Sequence, residues 1–204
     1  MKRFLAVLVI GFSMVAGAAF AAVDQSDVQK IEKYLQSIRT LKADFTQTAY
    51  DGSQVTGTFF LNRPGRLRFE YNEVDDFIVA DGQFIYYYDS EMKQQSNTQI
   101  SNSLADFLLR PEIKLGGDIK VVETRRVNGL LDTTLVMADE PSAGSLTLGF
   151  VDLGRGRLQL KRWTVTDSQN LTTSVVLKNI KTGERFDKNL FYYIDPERLR
   201  PQYN

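Results

Sequence analysis

Two repeat lengths alternate along this chain, and each change of period marks a change of element. Between Ser26 and Leu41 the apolar residues Val28, Ile31, Tyr34, Leu35, Ile38 and Leu41 recur at spacings of three and four, with Lys30, Lys33 and Gln36 among them. This predicts an amphipathic helix covering a core, because such spacing gathers one stripe on a 3.6-residue turn. Ser26 followed by Gln29 reads as a capping box, and Asp27 suits the positive end of the helix dipole. From Lys42 the period falls to two: Ala43, Phe45 and Gln47 alternate with Asp44, Thr46 and Thr48, up to the turn signal Asp51-Gly52. A second strand follows over Gln54 to Leu61, with Val55, Phe59 and Leu61 on one side.

The stretch Leu61 to Tyr71, LNRPGRLRFEY, joins a turn to a strand with one apolar face. Arg63-Pro64-Gly65 reads as a hairpin connection, since proline pre-sets φ and glycine tolerates positive φ. Beyond it Leu67, Phe69 and Tyr71 alternate with Arg66, Arg68 and Glu70. Phe77 to Ala80, the turn Asp81-Gly82 and Gln83 to Tyr88 make another hairpin, with Phe84, Tyr86 and Tyr88 on one face and Ile85 and Tyr87 on the other. Such strands with short turns imply an antiparallel meander.

At Ser103 to Leu109 the pattern becomes helical and very apolar, and Pro111 stops it. Leu104, Phe107, Leu108 and Leu109 cover more than one face, which fits either a core helix or a lid over a cavity. Gly116-Gly117 reads as a hinge or a plain turn. Asp118 to Val127 then meets Leu130 to Ala138 across Asn128-Gly129, the strongest short hairpin signal in the chain. Ser145 to Val151 places Leu146, Leu148 and Phe150 on one face. In Leu158 to Thr166 the apolar positions switch parity, from Leu158 and Leu160 to Trp163 and Val165, which predicts a β-bulge or a strand buried on both faces. Leu171 to Ile180 and Leu190 to Ile194 complete about ten or eleven strands against two or three helices. The fold class this implies is α+β, mainly antiparallel β: a curved sheet or incomplete, unclosed barrel with helices over its concave side.

Composition narrows the function. Met1-Lys2-Arg3, the uncharged run Phe4 to Phe20 and the small residues Ala19 and Ala21 read as a secretory signal peptide cut after Ala21, leaving one domain over 22–204. The rival reading, a membrane anchor, is weakened by Gly11, Ser13 and Gly17 in a run that barely reaches the roughly 17 residues needed to span. Cysteine is absent, so the exported chain can carry neither a disulfide nor its own lipid after the signal. Lysine plus arginine balance aspartate plus glutamate at 25 each, and loss of Lys2 and Arg3 tips the remainder slightly acidic, which argues against nucleic acid. Absence of histidine removes Ser-His-Asp catalysis and imidazole-bound metal, and no P-loop, GxSxG or SxxK is present. Asp75 and Asp76, the carboxylates open to a hydrolase reading, sit in a charged turn. The expectation is a protein that is not an enzyme and holds no metal or cofactor.

Thirteen Phe, nine Tyr and one Trp, many at alternating strand positions, fit a cavity wall or an aromatic core equally. Four segments in order decide between them: ADFTQ at 43–47, GTFFLNRPGRLRFEY at 57–71, IVADGQFIYYYD at 78–89 and WTVTDSQNLTTSVVL at 163–177. With the preceding helix they resemble the LolA family of periplasmic outer-membrane lipoprotein carriers. That resemblance implies an unclosed barrel lidded by helices, whose cavity takes the acyl chains of lipoproteins released by an inner-membrane ABC transporter. It implies a periplasmic location, a monomer and an outer-membrane receptor as a further candidate partner. Arg63, before the proline, is expected to hold the lid shut by hydrogen bonds. The expected lining is Phe45, Phe59, Leu61, Leu67, Phe69, Tyr71, Phe84, Tyr86, Leu104, Phe107, Leu108, Leu146, Leu148 and Phe150. Leu67 and Phe69 stand where the family more often has Phe and Trp, and the tail after Pro196 is short. The alternative is a lipid- or lipoprotein-sensing module of the same fold that regulates a partner.

Overall fold

The computed structural model describes residues 23–198; the expected export signal and the end of the tail lie outside that range. Helix α1 (Gln25–Ser37) buries Val28, Ile31 and Leu35, as the three-four spacing predicts. Its boundaries differ from the sequence reading at both ends. Asp24, not Ser26, caps it, accepting from the Ser26 amide at 2.8 Å. Asp27 turns inward to ion-pair with Lys30 at 3.0 Å and Arg126 at 3.1 Å. The helix stops at Ser37 because Ile38 is extended, and Leu41, which fits the helical spacing, belongs to the first strand and pairs with Leu61 and Thr182.

Eleven strands form a single antiparallel sheet among the described residues: β1 (Thr40–Thr48), β2 (Gln54–Asn62), β3 (Arg66–Tyr71), β4 (Phe77–Asp81), β5 (Phe84–Asp89), β6 (Gln94–Gln99), β7 (Ile119–Val127), β8 (Leu130–Met137), β9 (Gly144–Asp152), β10 (Leu158–Asp167) and β11 (Thr172–Thr182). The order is β6-β5-β4-β3-β2-β1-β11-β10-β9-β8-β7. The chain thus starts in the middle of the sheet, winds out to one edge, crosses to the opposite edge through residues 100–118, and winds back until β11 meets β1. Because β6 and β7 do not pair, the barrel stays open, and the crossing segment spans the concave side. It contains a 3₁₀ turn (Ile100–Asn102) and the four-residue helix α2 (Asp106–Leu109), shorter than the helix read over 103–109.

Other expectations meet mixed outcomes. Asn128 and Gly129 both take positive φ, 52° and 77°, as a two-residue hairpin requires. The parity switch in β10 is a bulge, with the register shifting between Leu160 and Arg162. The final strand read over 190–194 is instead a 3₁₀ turn (Lys188–Phe191), capped by the Asp187 carboxylate. The eleventh strand is β6, whose sequence QQSNTQ is polar and exposed throughout. No hydrophobic period marks it, because an edge strand is held by backbone pairing to β5 alone.

The main apolar cluster fills the concave side, while the segment after β11 folds back over the convex face of β2–β5. There Phe186 packs edge-on to Phe60 at 5.6 Å, and Tyr193 stacks on Tyr86 at 4.7 Å.

Candidate functional site

The concave side divides in two. Over β7 to β10, α1 lies directly on the sheet: the Tyr34 ring meets Phe150 edge-on at 5.7 Å, and its hydroxyl accepts from the Leu160 amide at 2.7 Å. Over β2 to β5 and the neighbouring part of β9 to β11, the covering element is α2 with the residues before it. Beneath these lies an apolar hollow of about 250 Å³. Phe59, Leu67, Phe69, Ile78 and Ile85 form one wall, Leu146, Trp163, Val165 and Val175 the other, and Leu104, Ala105 and Leu108 the roof. Gln47 and Thr173 complete the lining. Phe59, Phe69 and Trp163 prop one another, with ring centroids 4.7 to 6.1 Å apart, which keeps flat rigid surfaces facing the space.

Of the lining read from sequence, Phe59, Leu67, Phe69, Leu104, Leu108 and Leu146 bound this hollow. Phe45, Leu61, Tyr71 and Phe107 stand outside it; Phe45 and Tyr71 back the wall, their rings 5.4 Å apart, with Phe45 5.2 Å from Phe69. Leu148 and Phe150 are fully buried away from it, Phe150 beneath Tyr34. Phe84 and Tyr86 point to the convex face, opposite to expectation, because the chain's last segment covers that face and stacks Tyr193 on Tyr86. Ile85, on the lighter face of the same strand, is the one that lines the hollow. Sequence reasoning also passed over Ile78, Trp163, Val165 and Val175. For Trp163 and Val165 the signal was present: the parity switch that marks the bulge turns these two residues toward the concave side.

Arg63 sits at the junction of the two covering elements and is only 6% exposed. Its Nη1 donates to the carbonyls of Leu35 and, at 3.2 Å, Ile38 at the end of α1; its Nη2 donates to the Arg110 carbonyl after α2 at 2.8 Å. The last carbonyls of any helix lack intrahelical partners and carry the negative end of the dipole. Helix α1 has no basic residue in its own last turn, so Arg63 supplies that cation from a distant turn. Burial, with Arg39 nearby, pushes its guanidinium down to about 10, so it remains a cation at neutral pH. Around this hub the Gly65 amide donates to Leu109 O at 2.8 Å, and Gln36 accepts from the Ile113 amide at 2.8 Å. Arg110 itself is ion-paired with Asp106 and, at 2.9 Å, with Asp118. The roof is therefore fastened to α1 and the β2–β3 turn by polar bonds at one end, and rests on the hollow by apolar contact alone along the rest. Among the described residues no group of acidic, histidine or cysteine side chains is arranged to hold a metal.

Comparison with known proteins places these features in a family. The family model described as outer membrane lipoprotein carrier protein LolA matches residues 36–193, a span that includes Arg63 and every residue lining the hollow. Two similar proteins bear the name outer-membrane lipoprotein carrier protein. That of Pseudoalteromonas translucida is 28% identical over 206 residues, covering 97% of this chain and 95% of its own. That of Methylococcus capsulatus is 26% identical over 176 residues, covering 82% and 83%. A crystal structure of a LolA superfamily protein from Nitrosomonas europaea aligns over 81% of this chain and 97% of its own, with a TM-score of 0.44 and 11% identity, too distant to carry an argument. The matched span covers most of the chain, and by it this protein belongs to the LolA family.

Proposed function

We propose that this protein is a periplasmic carrier that takes the acyl chains of lipoproteins, released from the inner membrane by an ABC transporter, into its hollow and delivers them to the outer membrane. It acts as a monomer after removal of its export signal, as one domain over 22–204, and performs no catalysis. The observation that carries this reading is an apolar hollow under a roof fastened at one end, where a buried arginine bridges it to α1. At about 250 Å³ the space falls below the roughly 300 Å³ at which ligand pockets begin. Cargo with more than part of one chain must therefore lift the roof.

That requirement suits a shuttle. Burial of some fifteen methylenes contributes about 12 kcal/mol at about 0.8 kcal/mol each, which for several chains approaches irreversible capture. Breaking the Arg63 bonds and exposing the roof's apolar underside oppose that gain and keep release accessible. The closed form is stabilised by charge-assisted bonds to three carbonyls, two reached from Nη1 and one from Nη2 of the same planar guanidinium.

Two measurements test the proposal. Purified protein added to spheroplasts is expected to bring a lipoprotein into the soluble fraction in stoichiometric amount; no release overturns the carrier reading. Arg63→Leu leaves the Leu35, Ile38 and Arg110 carbonyls without this donor, costs about 2 kcal/mol of closure, and is expected to retain cargo in a transfer assay. Normal delivery by that variant would sink the latch while leaving the carrier reading intact.

A further inference from the structure

The lining of the hollow is apolar except at one end. Among the described residues that bound it, Gln47 and Thr173 are the two that carry an amide or a hydroxyl. They lie on adjacent strands and share a face, since Gln47 stands opposite Val175 and Thr173 precedes Val175 by two residues. Both sit at the strand ends away from the latch: β1 leaves the Arg63 turn at Thr40 and ends at Thr48, and β11 begins at Thr172. Tyr71 reaches the same rim and donates its hydroxyl to Gln47 Oε1 at 3.2 Å. With that oxygen engaged, the amide of Gln47 is left with its two N–H donors, which have no partner among the described residues. Burial pushes the Tyr71 phenol up to about 12, so it stays a donor at any working pH and holds this orientation.

The charge around the rim is equally one-sided. The three connections nearest to it, residues 49–53, 72–76 and 168–171, contain Asp51, Glu73, Asp75 and Asp76 and no lysine or arginine. An acyl ester or amide carbonyl offers an uncharged acceptor, which Gln47 and Thr173 can satisfy. A free carboxylate at the same place would be partly desolvated with no cation from these connections to pair it, and with the Asp76 carboxylate, whose charge already bears on Tyr71, close by. We infer that Gln47 and Thr173 form a subsite for the uncharged carbonyl that ends an acyl chain, and that it selects acyl esters and amides over free fatty-acid carboxylates. The inference rests on the reading of the hollow as an acyl-chain site and adds to it the chemistry of the chain's polar end.

Trp163, the single tryptophan, lines the hollow and reports occupancy through its fluorescence. Monolaurin and laurate share one chain and differ in the end group, so each is titrated against the full mature protein at mildly alkaline pH, below its critical micelle concentration. The wild type is expected to bind monolaurin about tenfold or more tightly than laurate, and Gln47→Leu to reduce that ratio to about twofold or less. Thr173→Val, nearly isosteric, is expected to reduce it in part. Laurate binding by both variants reports whether the hollow itself is intact. Equal affinity of the wild type for both ligands overturns the subsite and leaves the acyl-chain hollow standing, as does full preference retained by both variants. No Trp163 response to either ligand overturns the acyl-chain reading and this inference with it.

Discussion

The two halves of the concave side are built from the same sheet and the same kinds of residue, yet one is solid and the other hollow. Under α1, Leu131, Leu135, Leu148 and Phe150 are sealed to 1% exposure or less, because a thirteen-residue helix lays a continuous apolar stripe on them and Tyr34 fills the remaining depth. Under α2, the four-residue helix bridges the space without filling it, and Phe59, Phe69 and Trp163 brace one another too rigidly to collapse inward. The lesson is a division of labour. The solid half fixes α1, and α1 in turn is the post to which Arg63, Gln36 and Glu32 fasten the segment that roofs the hollow.

The contrast predicts that equal truncations cost unequal amounts. Leu131→Ala, in the solid half, is expected to lose about 4 kcal/mol in urea unfolding, and Leu108→Ala, in the roof, about 2 kcal/mol, because the cost depends on how much new void the site retains. Equal losses would break the comparison. A sharper probe lies behind the hollow, at Gly57 on β2. A Cβ there would stand 2.0 Å from the Glu70 carbonyl oxygen and 2.7 Å from the Phe45 ring. Gly57→Ala is therefore expected to cost about 3 kcal/mol on the same urea scale, showing that the hollow half is empty in front and tightly packed behind.

The smallest effect concerns pH. The folded Tyr71 phenol titrates near 12, above the 10 of an unperturbed tyrosine, so the unfolded chain loses that proton first. Its contribution to stability is fully present below pH 10 and declines as pH rises from 10 to 12. Unfolding midpoints measured across that range should fall, and Tyr71→Phe should reduce the fall by its own share, leaving that of Tyr87, which burial and Asp76 also push up to about 12.

Much of this molecule was legible before folding was considered. The helix, the hairpin at Asn128-Gly129 and the bulge after Leu160 each follow from local chemistry: a period, a pair of residues that accept positive φ, a change of parity. Arg63 was marked by a resemblance, and the structure gives it a geometry that no spacing could supply, since its partners lie up to 47 residues away. The errors share one cause. Phe84 and Tyr86 form the heavier aromatic face of β5, but which face looks inward depends on Tyr193, more than a hundred residues later, covering the other. Likewise β6 has no hydrophobic pattern because its partner, not its side chains, makes it a strand. Sequence alone determined which faces are apolar and where the chain turns, because those are properties of a few consecutive residues. Only the tertiary structure decided which apolar face would be filled and which left hollow, because that depends on the length and reach of the segment that distant pairing lays across it.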